Sequence, residues 1–159
     1  MTENLSKLPF TNARLLAIQT LYAHETGDTD WDKLMSRALL GELGGQVLTE
    51  QAGSEAYISL APADTGLYTR LVQSYREHEA DIDNALRSAI SAKIGFDRLE
   101  LTFLCILRVG MAEFYADAQT DAPIIVNEYV DITQSFYDGA EIKIANAVLD
   151  RFAKVMRGA

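Results

Sequence analysis

Asp97-Arg-Leu-Glu-Leu-Thr-Phe-Leu-Cys-Ile-Leu-Arg-Val-Gly-Met111 decides the fold class. Gly95 separates this stretch from what precedes it. Asp97 reads as a helix cap, and Glu100, three residues on, completes a variant of the capping box. Leu99, Leu101, Phe103, Leu104, Ile106, Leu107, Val109 and Met111 then place apolar side chains on nearly every side of a helix. A helix apolar all round is buried at the centre of a bundle. Glu100, Thr102 and Arg108 interrupt it well short of the roughly 20 apolar residues that a membrane span needs.

Outward from that helix, periods of three and four recur and strand alternation does not. Past Pro9, Thr11 or Asn12 is expected to cap a helix carrying Leu15, Ile18, Leu21 and Tyr22, with Gly27 just beyond its end. Trp31, Leu34, Met35, Ala38 and Leu39 form a second amphipathic stripe, broken by Gly41, Gly44 and Gly45. Residues 44–63 lack a period and read as a long loop or irregular insertion. Asp64 or Thr65 caps a helix with Leu67, Tyr68, Leu71, Val72 and Tyr75, and a shorter one carries Ile82, Leu86 and Ile90. After the central helix, Pro123 suits the first turn of a helix that places Val126, Tyr129, Val130 and Phe136 inward. Ala145, Val148, Leu149, Phe152 and Met156 mark the last. The expectation is an all-α bundle of six to seven helices in a single domain, with N-terminal helices over about 12–63 and C-terminal helices over about 64–159.

At 159 residues and 48% hydrophobic, the chain buries roughly two-thirds of its unfolded surface without disulfide or metal staples. One cysteine excludes a disulfide framework and a multi-cysteine zinc site. The net charge of −9 argues against a generic polyanion binder but not against a local RNA site. The acidity is concentrated in residues 28–64, at −5, whereas residues 1–27 balance to zero and 123–159 to −1. The start, Met-Thr-Glu-Asn-Leu-Ser-Lys, has no basic run leading into an apolar core, so no secretory signal is expected and the chain reads as cytoplasmic.

No catalytic or cofactor motif emerges, and the chain is read as a non-enzyme with no metal. His24 and His78 are flanked by glutamates, and neighbours in Glu77-His78-Glu79 point about 100 degrees apart on a helix, so they cannot share a metal. Cys105, inside the apolar helix, reads as a small core hydrophobe. Asp81 and Asp83 read as solvated surface. Arg108, Asn127, Glu128 and Asn146 are polar residues within apolar stripes. They read as structural anchors that need partners, Arg108 through Glu113, Glu128 or Asp131.

Three stretches carry a resemblance: Ile106-Leu-Arg108-Val-Gly-Met-Ala-Glu113, Pro123-Ile-Ile-Val-Asn127-Glu128-Tyr129-Val-Asp131 and Asn146-Ala-Val-Leu-Asp150-Arg151. In that order they resemble the NusB family of bacterial transcription antitermination factors, and Ala13-Arg14 through Tyr22 looks like the family's first helix. The resemblance implies two three-helix subdomains and a place in the transcription elongation complex. It also implies a NusE-like ribosomal protein as partner and, together with it, single-stranded RNA of the boxA type as ligand. The family's usual run of arginines before the first helix is replaced here by Leu8-Pro9-Phe10-Thr11-Asn12.

On that resemblance the RNA site combines the start of the first helix with the turn before the last. Lys7, Arg14 and Lys143 are expected at phosphates and Phe136 at a base face, with Arg14 in the first helical turn. The competing reading is a protein-interaction module of the same fold that has lost RNA binding and acts on a basic partner or on a second copy of itself.

Overall fold

The computed structural model describes residues 2–27, 30–41, 63–90, 95 and 98–158. Among them are six helices and no strand: α1 (Thr2–Gly27), α2 (Trp31–Leu39), α3 (Thr65–Ala89), α4 (Leu101–Ala116), α5 (Ala122–Phe136) and α6 (Ala140–Arg157). All-α architecture is as the periodicity predicts. The loop expected over 44–63 falls outside the described residues except at its last position. The chain divides into two compact units, residues 1–72 and 73–159, with α3 contributing to both.

In the first unit α1 begins ten residues earlier than the capping reading at Thr11 predicts. Pro9 lies inside the helix rather than ahead of it. Proline lacks the N–H that would bond the carbonyl four residues back, so an interior position is costly and reads in sequence as a boundary. The Pro9 carbonyl accepts a bond from Asp64 N–H at 2.9 Å, tying α1 to the start of α3. Asp64 caps α3 as expected, accepting from Leu67 N–H at 2.8 Å. Ala13, Ala17, Ile18 and Leu21 of α1, Leu34, Met35 and Ala38 of α2, and Leu67, Tyr68, Leu71 and Val72 of α3 are buried. Tyr68 and Thr20, both fully buried, share a hydroxyl hydrogen bond of 2.7 Å. Burial pushes the Tyr68 phenol up to about 12, with the Thr20 bond acting the other way.

In the second unit α4 is buried from Phe103 through Phe114 without a break and packs against both α5 and α6. At roughly 1.5–3 kcal/mol for each large apolar side chain removed from water, this helix is the main source of the unit's stability. α5 faces it with Ile125, Val126, Tyr129, Ile132 and Thr133, and α6 with Ala145, Val148, Leu149, Phe152 and Ala153. Pro123 sits in the first turn of α5, as expected. The two helices expected over 67–75 and 82–90 are the two helical segments of α3, which meet at His78, whose backbone (φ −118°, ψ 19°) is non-helical. The expected Asp97 cap lies outside the described residues, and Glu100 is the N-cap of α4. Arg157 donates to the carbonyls of Thr120 (2.9 Å) and Asp117 (2.6 Å), fastening the end of α6 to the loop before α5.

Candidate nucleic-acid interface

The turn between α5 and α6 carries two of the four expected RNA residues. α5 ends at Phe136, and Tyr137 leaves it in extended backbone while its N–H still bonds the Thr133 carbonyl at 2.9 Å. Gly139 is the N-cap of α6 and has no side chain with which to cap it. The first N–H groups of an 18-residue helix are thus left uncapped by any side chain, and such an end favours negative charge. Phe136 is half-buried and Lys143 is exposed near the start of α6. The Phe136 and Tyr137 ring centroids are 6.5 Å apart. Asp138 is exposed and Glu141 half-buried in the same short stretch, so Lys143 is not a lone charge there.

The other two residues lie in the first unit. Lys7 is in the second turn of α1. Arg14 is not in the first turn, as expected, but twelve residues into the helix, and it is only 9% exposed. The misplacement follows from reading Pro9 as the helix boundary. A buried guanidinium contributes through its packed stem as well as its charge. Arg14→Ala is therefore expected to lower stability by roughly 1–2 kcal/mol, read as a fall in melting temperature. An unchanged or raised melting temperature would return Arg14 to a purely surface role.

The polar anchors are partly redistributed. Arg108 is buried, as its position in α4 demands, and it pairs with Asp83 of α3, a carboxylate the sequence reading did not name as its partner. Its Nε and Nη2 donate to the two Asp83 oxygens at 3.0 and 3.2 Å. The Asp83 side chain is itself only 16% exposed, which corrects its reading as solvated surface. Burial works against the Arg108 charge. The Asp83 bonds and the neighbouring Tyr75 outweigh it and hold the guanidinium's pKa above its ordinary value. The guanidinium also lies 5.8 Å from the centre of the Tyr75 ring. Glu113, 1% exposed, accepts from the Tyr129 hydroxyl at 2.5 Å.

Asn127 and Asn146 are exposed, against expectation, and Glu128 is half-buried. The reason is phase. The buried faces run through 125, 126, 129, 132 and 133 in α5 and through 145, 148, 149, 152 and 153 in α6. Residue 127 lies roughly 160 degrees, and residue 146 roughly 90 degrees, from the centres of those faces. Both histidines stack on rings: His24 on Trp31 at 3.7 Å and His78 on Tyr115 at 3.9 Å.

Two further residues meet at the turn: Tyr137, which the sequence reading passed over, and Glu100, which it read only as part of a helix cap. The Tyr137 hydroxyl donates to Glu100 Oε1 at 2.6 Å. The signal was available in Phe136-Tyr137, two adjacent aromatics at a helix end. The contact with Glu100, 37 positions away, was not.

Comparison with known proteins gives a consistent result. The family model described as "NusB family" matches residues 11–154. The transcription antitermination protein NusB of Rhodospirillum rubrum is 34% identical over 153 residues, covering 91% of this chain and 83% of that protein. The protein of the same name from Agrobacterium fabrum is 33% identical over 92% of this chain and 84% of its own length. A solved structure of T. maritima NusB superposes with a TM-score of 0.65 at 20% identity, covering 91% of this chain and 89% of that one, a likeness of fold.

Proposed function

The chain belongs to the NusB family, and from that membership we propose that it is a transcription antitermination factor working with a NusE-like ribosomal protein on boxA-type single-stranded RNA. The observation that carries this reading is the identity of 34% across nine-tenths of the chain to a protein named for antitermination. The α5–α6 turn supports it with what single-strand binding needs: aromatic rings for bases, an uncapped helix start and an exposed lysine for phosphates. Lys7, Phe136 and Lys143 are the proposed contacts, with Arg14 acting first on stability. Among the described residues no helix is long and apolar enough to cross a membrane.

The competing reading, an interaction module without RNA binding, is favoured by two observations. Arg14 is buried, and Asp138 and Glu141 share the turn with Lys143. Titrating fluorescent boxA RNA at 50 mM salt, with and without the NusE-like protein, separates the two. The proposal expects saturable binding that the partner strengthens, and the module reading expects none.

Lys143→Ala is then expected to weaken binding about equally across sequences. It should also reduce the magnitude of the log–log salt slope by about 0.7, one phosphate's worth on a single strand. Unchanged affinity and slope would place the RNA elsewhere on the protein.

A further inference from the structure

Glu100 and Tyr137 form a linkage across the second unit. Glu100 is the N-cap residue of α4, yet its side chain does not cap that helix. Its carboxylate accepts the Tyr137 hydroxyl at 2.6 Å. Glu100 thus holds Tyr137 rather than the helix end, and its carboxylate stays at the surface. The Tyr137 ring packs edge-on to Phe103 at 5.7 Å and tilted to Phe136 at 6.5 Å, which fixes it beside the second aromatic of the turn. Burial, with Glu100 adding to it, raises the Tyr137 pKa, so the phenol stays a donor at neutral pH.

An exposed carboxylate next to an RNA-binding turn repels phosphates. That cost is offset when the carboxylate accepts hydrogen bonds from a base. A carboxylate offers about four acceptor sites, and one phenol uses only one of them. Among the bases, guanine alone presents two adjacent donors on its Watson–Crick edge, the N1 imino and N2 amino groups. Bases of single strands are read on that edge while stacked on aromatic rings. We propose, on the strength of the RNA-binding reading above, that Tyr137 and Glu100 form a guanine-selective subsite. The base stacks at the Phe136–Tyr137 pair, and its Watson–Crick edge donates to Glu100, which Tyr137 holds in place. The acidic residue lowers affinity for RNA in general and confers preference for one base.

The test uses the full chain and its NusE-like partner with three probes: an oligouridine carrying a single central guanosine, the same with inosine there, and oligouridine alone. The guanosine probe is expected to bind about tenfold more tightly than oligouridine, the discrimination of one good bidentate contact. Inosine, lacking the N2 amino group, should fall between. E100Q should erase most of the preference while binding oligouridine as well as or better than the unchanged protein, which also shows that the variant is folded. Y137F keeps the ring but releases Glu100, and should lose part of the preference. If E100Q keeps the full preference, or the unchanged protein binds all three probes alike, the subsite is overturned and the RNA reading stands. If the unchanged protein with its partner binds boxA RNA but none of the three probes, the subsite is overturned; if it binds neither boxA RNA nor the probes, the RNA reading falls and the subsite with it.

Discussion

Arg108→Ala is expected to lower the unfolding free energy by about 3–5 kcal/mol, the cost of leaving one member of a buried ion pair without its partner. The Arg108 and Asp83 side chains are 8% and 16% exposed, and two bonds of 3.0 and 3.2 Å join them. Removing the arginine strands the Asp83 carboxylate at a poorly hydrated site and takes a cation from beside the Tyr75 ring. Asp83→Ala should cost a similar amount. The double variant should cost clearly less than the two single losses added together, because the same interaction is removed twice. Urea titrations of the three variants check this. A loss below about 1 kcal/mol for Arg108→Ala would mean that the pair behaves as a surface bridge.

Gly110→Val is expected to cost about 3 kcal/mol through overpacking. Gly110 lies where α4 meets both neighbours. A Cβ built there would stand 3.1 Å from Leu149 Cδ2 and 3.3 Å from Tyr129 Cγ. A helix-interior glycine ordinarily costs up to about 1 kcal/mol relative to alanine, so its presence here is explained by the close approach. Gly110→Ala sets that propensity gain against contacts that must yield by a few tenths of an ångström, and should change stability little. Valine adds two methyl groups on a stiff χ1 between two fully buried side chains, Tyr129 and Leu149. Thermal melts should therefore rank glycine and alanine together and valine well below. Valine melting with the other two would show that α5 and α6 can move away from α4 at little cost.

How much of this was legible in the sequence varied with the kind of signal. The apolar helix at 101–116, the stripes of α5 and α6, the Asp64 cap and the Pro123 start all follow from periodicity and capping chemistry, which are local. The errors arose where a local rule met a tertiary contact. Pro9 reads as a boundary, but α1 continues through it, and its carbonyl is bonded by Asp64 N–H. The stripes at 67–75 and 82–90, by contrast, mark the two helical segments of α3 on either side of the non-helical His78.

At the candidate site, the placing of Phe136 and Lys143 at a helix–turn–helix junction came from motif order. The burial of Arg14 did not, because one wrong helix start moved it from an end to an interior. Asp83 was dismissed for lying among acidic neighbours, although its partner 25 residues on was the one basic residue in the most apolar helix. Asn127 and Asn146 show the converse. A polar residue beside an apolar stripe lies inside or outside according to helical phase, and one residue decides it.

The central claim is tested most directly by transcription of a template bearing boxA ahead of a terminator, in a reconstituted antitermination reaction from which only the NusB component is omitted. Adding this chain is predicted to restore read-through on that template and not on one whose boxA is scrambled. Lys143→Ala should restore less. Read-through that stays at the omitted-component level, or that rises equally on the scrambled template, would contradict the account.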